Sequence, residues 1–139
     1  MERDRGIEKG QQRKEKMHRV YKTKVCGLTI RCDVIRMGRD YAVTLQDEAA
    51  GHIGCTTLSA ARPSLTGRGT SATTSVLNCI GHKDDVIARR FSEAAAVKSG
   101  GTAVCTCGIH MDGITEEQIR EILAACEALK EEVLEDIFE

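Results

Sequence analysis

We predict an α+β domain in which a mainly antiparallel, five-stranded sheet carries two helices packed on one face. Three observations predict it. Short segments alternate apolar and polar residues, two later segments place apolar residues at helical spacing, and glycine-containing turns separate these segments. The expected order is β-β-β-β-α-β-α, which is typical of a meander sheet covered by helices.

Length and composition favour a single domain. The chain has 139 residues, of which 41% are hydrophobic and 29% are charged, as in ordinary globular proteins. We expect residues 1–17 to be a flexible, charged lead-in and residues 18–139 to form the domain. No apolar run approaches the roughly 20 residues of a membrane span, and the N-terminus lacks a secretory signal, so we expect a cytoplasmic protein without a membrane partner.

The strands are predicted from a period of two. Segment 25–35 has one firmly apolar face, and segment 41–45 returns after a turn at Gly38, which gives a hairpin. Segments 53–60 and 70–80 are rich in Thr and small residues, and Pro63 ends the first of them. Segment 102–109 gives the fifth strand.

The helices are predicted from apolar stripes and capping residues. Segment 84–98 begins with two acids, which suit the positive end of a helix dipole, and Gly100 can close it. Thr115 and Gln118 form a capping box for the final helix, whose apolar face runs from Ile119 to Ile137. With both helices on one side, the other sheet face keeps Thr, Cys and small residues. We therefore expect a homo-oligomer, most simply a two-fold dimer.

Charge is distributed unevenly along the chain. Residues 1–24 hold nine Lys or Arg and four acids, whereas residues 115–139 hold nine acids and two bases. The basic end could contact an acidic partner or nucleic acid, but a solvated tail has the same composition. With two Phe, two Tyr and no Trp, an aromatic platform for single-stranded nucleic acid is not expected.

The cysteines indicate a reduced protein. Their number is odd, no export signal is present, and no CxxC pair exists, so neither a disulfide framework nor a zinc ribbon is expected. The seven are Cys26, Cys32, Cys55, Cys79, Cys105, Cys107 and Cys126.

Three segments join a histidine to glycine at the end of a predicted sheet element. They are 51–54 (GHIG), 81–85 (GHKDD) and 108–113 (GIHMDG), and we call them the first, second and third clusters. Glycine lets a backbone approach a ligand closely, and histidine moves protons or binds metals and anions near neutral pH. Exposed turn residues would give the same pattern in any one of them.

The residues alone leave a small enzyme open as an alternative. His52, His82 and His110 could bind zinc together with Cys105, Cys107 or Asp112, although the spacing is not diagnostic. A Cys–His nucleophile is also possible, but nothing distinguishes one cysteine from the others. Neither GxGxxG nor GxxxxGK[ST] occurs, so a Rossmann or P-loop nucleotide site is not indicated.

The three clusters, in this order, resemble the LpdD-like prenylated-FMN chaperones, the small D subunits of gallate and hydroxyaryl decarboxylase systems. That family carries an HIG element, an HKD element before a helix, and GIHxDGIT before the last helix. In this chain these elements are 52–54, 82–84 and 108–115 (GIHMDGIT), and the resemblance extends over about 25–139.

The resemblance implies an accessory protein rather than an enzyme, with no catalytic or metal-binding residue of its own. It would hold prenylated FMN, or FMN, and deliver it to the catalytic subunit of a UbiD-type decarboxylase. The expected contacts are imidazoles at the flavin ring, cations at the phosphate, and acids that orient these groups. The cofactor-binding residues are then His52, Gly54, Arg68, His82, Lys83, Asp84, His110 and Asp112.

Overall fold

The computed structural model describes residues 17–79 and 84–138. They form one six-stranded sheet with two helices, so the predicted α+β class is confirmed. The strands are β1 (His18–Val25), β2 (Leu28–Met37), β3 (Asp40–Asp47), β4 (Cys55–Pro63), β5 (Thr70–Asn78) and β6 (Thr102–Gly108), and the helices are α1 (Asp85–Ser99) and α2 (Glu116–Ile137). Neither described helix combines the length and hydropathy that crossing a bilayer requires.

The sheet has the strand order β1-β2-β3-β6-β4-β5. Strand β6 is inserted between β3 and β4; it pairs parallel with β3 and antiparallel with β4. All other neighbouring strands are antiparallel, as predicted. Because β3 and β6 run in the same direction, both strands end on the same side of the sheet, and the loops that follow them begin close together.

The core lies between the helices and one face of the sheet. Inward residues alternate along β2 and β3 as the period of two predicts, and Ile30 and Leu45 have no exposed surface. Phe91 of α1 and Leu129 of α2 close the core from the helix side. The predicted capping box of α2 is confirmed, because Thr115 and Gln118 exchange hydrogen bonds of 3.0 and 3.1 Å.

The prediction of five strands is wrong by one. Segment His18–Val25 is an additional strand, β1, which pairs with β2 at the edge of the sheet. Its half-buried positions are Arg19, Tyr21, Thr23 and Val25, of which only Val25 is aliphatic, so its alternation does not show as an apolar pattern. The stems of Arg19 and Tyr21 lie against α2, and their polar ends contact Asp136 of that helix.

The expectation that cysteines occupy the second sheet face is also wrong. Cys32, Cys55, Cys105 and Cys107 are all buried under the helices. They fill the core as small apolar side chains, which is the usual place of unpaired cysteine. The outward residues of the same strands are mostly Thr, Ser, Ala and larger aliphatics.

A three-residue contact joins β1 to the last turn of α2. Arg19 donates to the Asp136 carboxylate over 2.7 Å, and the Tyr21 hydroxyl donates to the same carboxylate. These two donors hold the pKa of Asp136 below its ordinary value, with the Tyr21 contact the larger cause. An acid at a helix C-terminus meets the negative end of the dipole, and Arg19 offsets that repulsion.

We predict that Asp136→Asn lowers the free energy of unfolding at pH 7 by about 1 kcal/mol or less, because the carboxylate is half exposed and screened by water. A lowered folded-state pKa stabilises the fold above the unfolded value, and this contribution is lost as the pH falls through the folded pKa. Urea unfolding at pH 7 and pH 3 should therefore show a difference between wild type and variant that shrinks in acid. Glu135→Gln, at the exposed neighbouring acid, is the control; a constant difference would contradict the assignment.

Candidate functional site

The first and third clusters, and the described acids of the second, lie at one end of the strands. The β3–β4 loop (48–54) carries the first cluster and the β6–α2 loop (109–115) carries most of the third, while Asp84 and Asp85 of the second stand at the start of α1. They lie together because β3, β5 and β6 end on that side of the sheet and β4 begins there. The carboxyl ends of parallel strands are a common position for ligand sites.

The first and third clusters are in direct backbone contact. The Gly54 amide donates to the Cys107 carbonyl over 2.9 Å. A Cβ atom on Gly108 would lie 1.7 Å from the carbonyl oxygen of His52, so a side chain there cannot be accommodated without moving the loop. Glycine at 108 is therefore required by the close approach of the two loops.

The first cluster also contacts the two ends of the β5–α1 connection. The Cys79 amide donates to the Gly54 carbonyl over 2.9 Å. At the other end, a Cβ atom on Gly54 would lie 2.3 Å from Oδ2 of Asp84. Gly54 thus lies between Cys79, at the start of the β5–α1 connection, and Cys107, which precedes the third cluster. The absence of a side chain on Gly54 leaves room for the Asp84 carboxylate.

A buried carboxylate fixes the relative position of the first and third clusters. Asp47, the last residue of β3, has no exposed surface. Its Oδ1 accepts from the Ala50 amide over 2.6 Å, and its Oδ2 accepts from the His110 amide over 2.8 Å. Because a buried carboxylate needs such partners, the β3–β4 loop and the β6–α2 loop are held together through Asp47.

Two imidazoles meet where these loops meet. The rings of His52 and His110 lie 6.2 Å apart between centroids and are nearly perpendicular, with an interplanar angle of 79°. Nδ1 of His52 lies 3.0 Å from the Ala50 carbonyl, which can only accept, so this nitrogen carries a hydrogen. Nε2 of His110 lies 2.8 Å from Oδ1 of Asp112, which orients the ring.

An apolar cleft of about 340 Å³ opens between the N-terminal ends of the two helices and the β6–α2 loop. Asp84 is the charged residue of its described lining. The remaining lining is aliphatic, and Ile119 and Leu123 are 42% and 36% exposed although they belong to the apolar stripe of α2. The other lining residues are Ile87, Ile109, Met111, Ile114 and Ile122.

Two cavities of similar size elsewhere are mainly polar. One, of about 430 Å³, lies between the start of β1 and the C-terminal end of α2. The other, of about 460 Å³, lies on the side of β2 and β3 that faces away from the helices. Neither includes a residue of the three clusters. The cleft is therefore the cavity that combines an apolar lining with cluster residues, as sites for ring-containing cofactors do.

The structure brings together five of the eight predicted cofactor-binding residues: His52, Gly54, Asp84, His110 and Asp112. His82 and Lys83 lie outside the described residues. Arg68 lies far from these five residues, at the tip of the β4–β5 hairpin. The nine-residue strand β4 separates it from Gly54 by roughly 30 Å. Binding of a cofactor by these residues stays a prediction.

The geometry does not favour the alternative of a metal- or cysteine-dependent enzyme. Among residues 17–79 and 84–138, no group of three or more His, Cys, Asp or Glu side chains is placed to hold a metal ion. Burial raises the pKa of Cys55 to about 11 and that of Cys126 to about 12. Burial likewise raises the pKa values of Cys105 and Cys107, so these thiols are poor nucleophiles at neutral pH.

Two parts of the site were missed in the sequence. The first is Asp47, which shares the inward register of Tyr41, Val43 and Leu45; an acid at the end of that alternation is a signal that could have been read. The second is the cleft itself, because Ile119 and Leu123 were assigned to the core. Both residues belong to the apolar stripe in the first two turns of the helix, and helical spacing alone does not tell whether such a residue packs in the core or lines a cleft.

Comparison with known proteins identifies a family and includes a fold relative. A family model described as "prenylated flavin chaperone LpdD-like domain" matches residues 24–138. A search of curated proteins found no match. A chain in the crystal structure of a novel chaperone complex for yeast 20S proteasome assembly is 9% identical, with a TM-score of 0.52 over 88% of this chain and 99% of that one. This likeness to a chain of the proteasome-assembly chaperone complex supports the fold alone.

We predict that Asp47→Ala lowers the free energy of unfolding by about 3–6 kcal/mol, because two hydrogen bonds to a buried charged group are lost at about 1.5–3 kcal/mol each. Hydrogen exchange of the Ala50 and His110 amides should accelerate more than exchange in the centre of β3. The control is Asp40→Ala, which removes an exposed acceptor of the Thr102 amide at the opposite end of β3. Equal effects of the two substitutions would show that Asp47 has no special role.

Proposed function

Because this chain belongs to the prenylated flavin chaperone LpdD-like family, we propose that it holds prenylated FMN and delivers it to the catalytic subunit of a UbiD-type decarboxylase. The observation that carries the proposal is the extent of the match. It spans residues 24–138 and so includes all three clusters and the apolar cleft. In this function the modified flavin is cargo, and its decarboxylation chemistry takes place in the partner enzyme.

The chemistry of the site fits such a cargo. A flavin offers a flat apolar ring, polar atoms along the ring edge and an anionic phosphate. The cleft supplies aliphatic walls, and its volume of about 340 Å³ suits a ring system with the rest of the ligand extending outward. The chain neighbours of His110, Ile109 and Met111, line the cleft, and on that basis we assign His52 and His110 to the ring edge, which requires donors and acceptors.

We assign roles to the cluster residues on this basis. His52 and His110 hold the ring edge, and Asp112 keeps the tautomer of His110 through its 2.8 Å contact. Asp84 and Asp85 are repelled by a phosphate, so the phosphate is assigned to Lys83, with His82 beside it. Asp84 orients these two residues. Arg68 is left out of the site, because the sheet separates it from the other clusters.

The partners follow from the same function. The proposed client is an apo-decarboxylase of the UbiD type, the proposed assembly is a homodimer, and the proposed compartment is the reducing cytoplasm. The uncovered rim of the cleft supports delivery, since Ile114 and Ile119 remain exposed at its mouth. A cargo that is only partly enclosed can leave without unfolding of the carrier.

We predict that the double variant His52→Ala, His110→Ala binds prenylated FMN at least about tenfold more weakly, because each lost hydrogen bond to the ring is worth about 1 kcal/mol. Absorbance or fluorescence titration of the purified protein measures this. His18→Ala is the matched control, because His18 pairs with Asp33 on β1–β2, away from the clusters. A double variant with wild-type affinity would remove the imidazoles from the proposal.

We predict that Leu123→Asp abolishes activation of an apo-decarboxylase by flavin-loaded protein, because the carboxylate places a charge in the apolar cleft. Leu65→Asp, at the 91% exposed tip of the β4–β5 hairpin, should activate as wild type does. Decarboxylase turnover after mixing is the measurement, with bound flavin quantified beforehand. Full activation by Leu123→Asp would exclude the cleft as the cargo site.

Stoichiometric zinc in the purified protein, together with no flavin binding, would favour the enzyme instead.

A further inference from the structure

Four large hydrophobic side chains remain exposed around the apolar cleft. Ile114, Ile119 and Leu123 line the cleft and are 38%, 42% and 36% exposed. Val86 is 45% exposed and adjoins them, because it lines a small crevice between the two helices together with Leu123. We call these four residues the apolar rim. Single exposed hydrophobic residues are normal on a protein surface, whereas adjoining ones mark a surface that meets another molecule.

The apolar rim lies within an acidic surface. The segments that lead into α1 and α2, 81–87 and 111–123, hold six acids and two Lys or Arg. Arg120 is one of these bases, and it lies 3.9 Å from Glu116, so it offsets one of the negative charges. The excess of acids makes this end of the domain negative. The six acids are Asp84, Asp85, Asp112, Glu116, Glu117 and Glu121.

The charge of the cargo indicates what kind of protein fits this surface. A flavin phosphate is anionic, so the protein that finally holds it needs cations at its flavin site. While that site is empty, these cations have no phosphate to neutralise them. The mouth of such a site is therefore basic around an entrance wide enough for a flat ring. An apolar rim with acids around it is complementary to this mouth in both polarity and charge.

We propose that the apolar rim and its acids dock on the basic mouth of the empty flavin site of the client decarboxylase, so that the cargo passes directly between the two proteins. The inference rests on the function proposed above and names the surface that carries it out. Opposite charges steer the two mouths together, and the apolar rim is buried when they meet. The flavin then leaves an acidic surface, which repels its phosphate, for a basic site, which binds it.

Two other occupants fit this surface less well. A second copy of this chain would bring the same acids against one another, which opposes association. Residues 1–16 hold four acids besides their six Lys or Arg, and their aliphatic side chains are those of Met1 and Ile7. The chain also enters β1 at His18, at the opposite end of the strands from the cleft.

The test is the rate at which flavin-loaded protein activates an apo-decarboxylase of the UbiD type, expressed per bound flavin. The double variant Glu116→Lys, Glu117→Lys should activate at least about tenfold more slowly than wild type at about 20 mM salt, because two attractive charges become repulsive. At about 0.5 M salt the difference should shrink to about threefold or less, because salt screens exposed charges.

The matched control is Glu132→Lys, Glu135→Lys, which reverses two exposed acids in the C-terminal half of the same helix. It should activate as wild type does at both salt concentrations. Far-UV circular dichroism should be the same for the three proteins.

Val86→Ser is the second variant, and it decides if the Glu116, Glu117 variant does not fold. It shortens the apolar rim outside the described lining of the cleft, so it should slow activation about three- to tenfold with flavin affinity unchanged. Wild-type rates for both variants, or a rate independent of the apo-decarboxylase concentration, would overturn the docking surface and leave the cargo function standing. A changed molar mass of either flavin-free variant would assign the rim to a second copy instead. A wild type that binds no flavin would refute the cargo function itself.

Discussion

The candidate site depends on one buried carboxylate. Asp47 lies at the end of β3 with no contact to water, and it accepts hydrogen bonds from the amides of Ala50 and His110. These amides belong to two loops that are separated by 60 residues in the chain. The carboxylate therefore sets where the first and third clusters lie relative to each other. The same constraint brings the His52 carbonyl against Gly108, where no side chain could fit.

The two faces of the sheet have different roles because their side chains differ. One face carries cysteines, valines and leucines that fill the core under the helices, and burial raises the pKa values of its thiols. These cysteines contribute to packing rather than to chemistry. The other face carries Thr44, Thr56 and Thr106 together with the ion-paired Arg31 and Asp33.

The cleft and the imidazoles fit a carrier better than a catalyst. A catalyst needs groups held at a reacting bond in an enclosed site, whereas this cleft is apolar and open between the first turns of two helices. Asp84 is the charged residue of its described lining. Under the function proposed above, such a site would bind a planar cofactor and release it to a partner that encloses it more completely.

The sequence by itself determined the α+β class, the faces of the central strands, the cap of α2 and the three clusters. Each of these is encoded within a few residues, by a period of two, a period near 3.6, or a side chain that caps the next turn. Strand β1 escaped this kind of inference because its inward residues are Arg19, Tyr21 and Thr23. Only the tertiary structure decided that β6 lies between β3 and β4, that Asp47 joins two distant loops, and that Arg68 is far from the histidines. These facts depend on pairing between strands remote in the chain, and no local periodicity specifies which strands become neighbours.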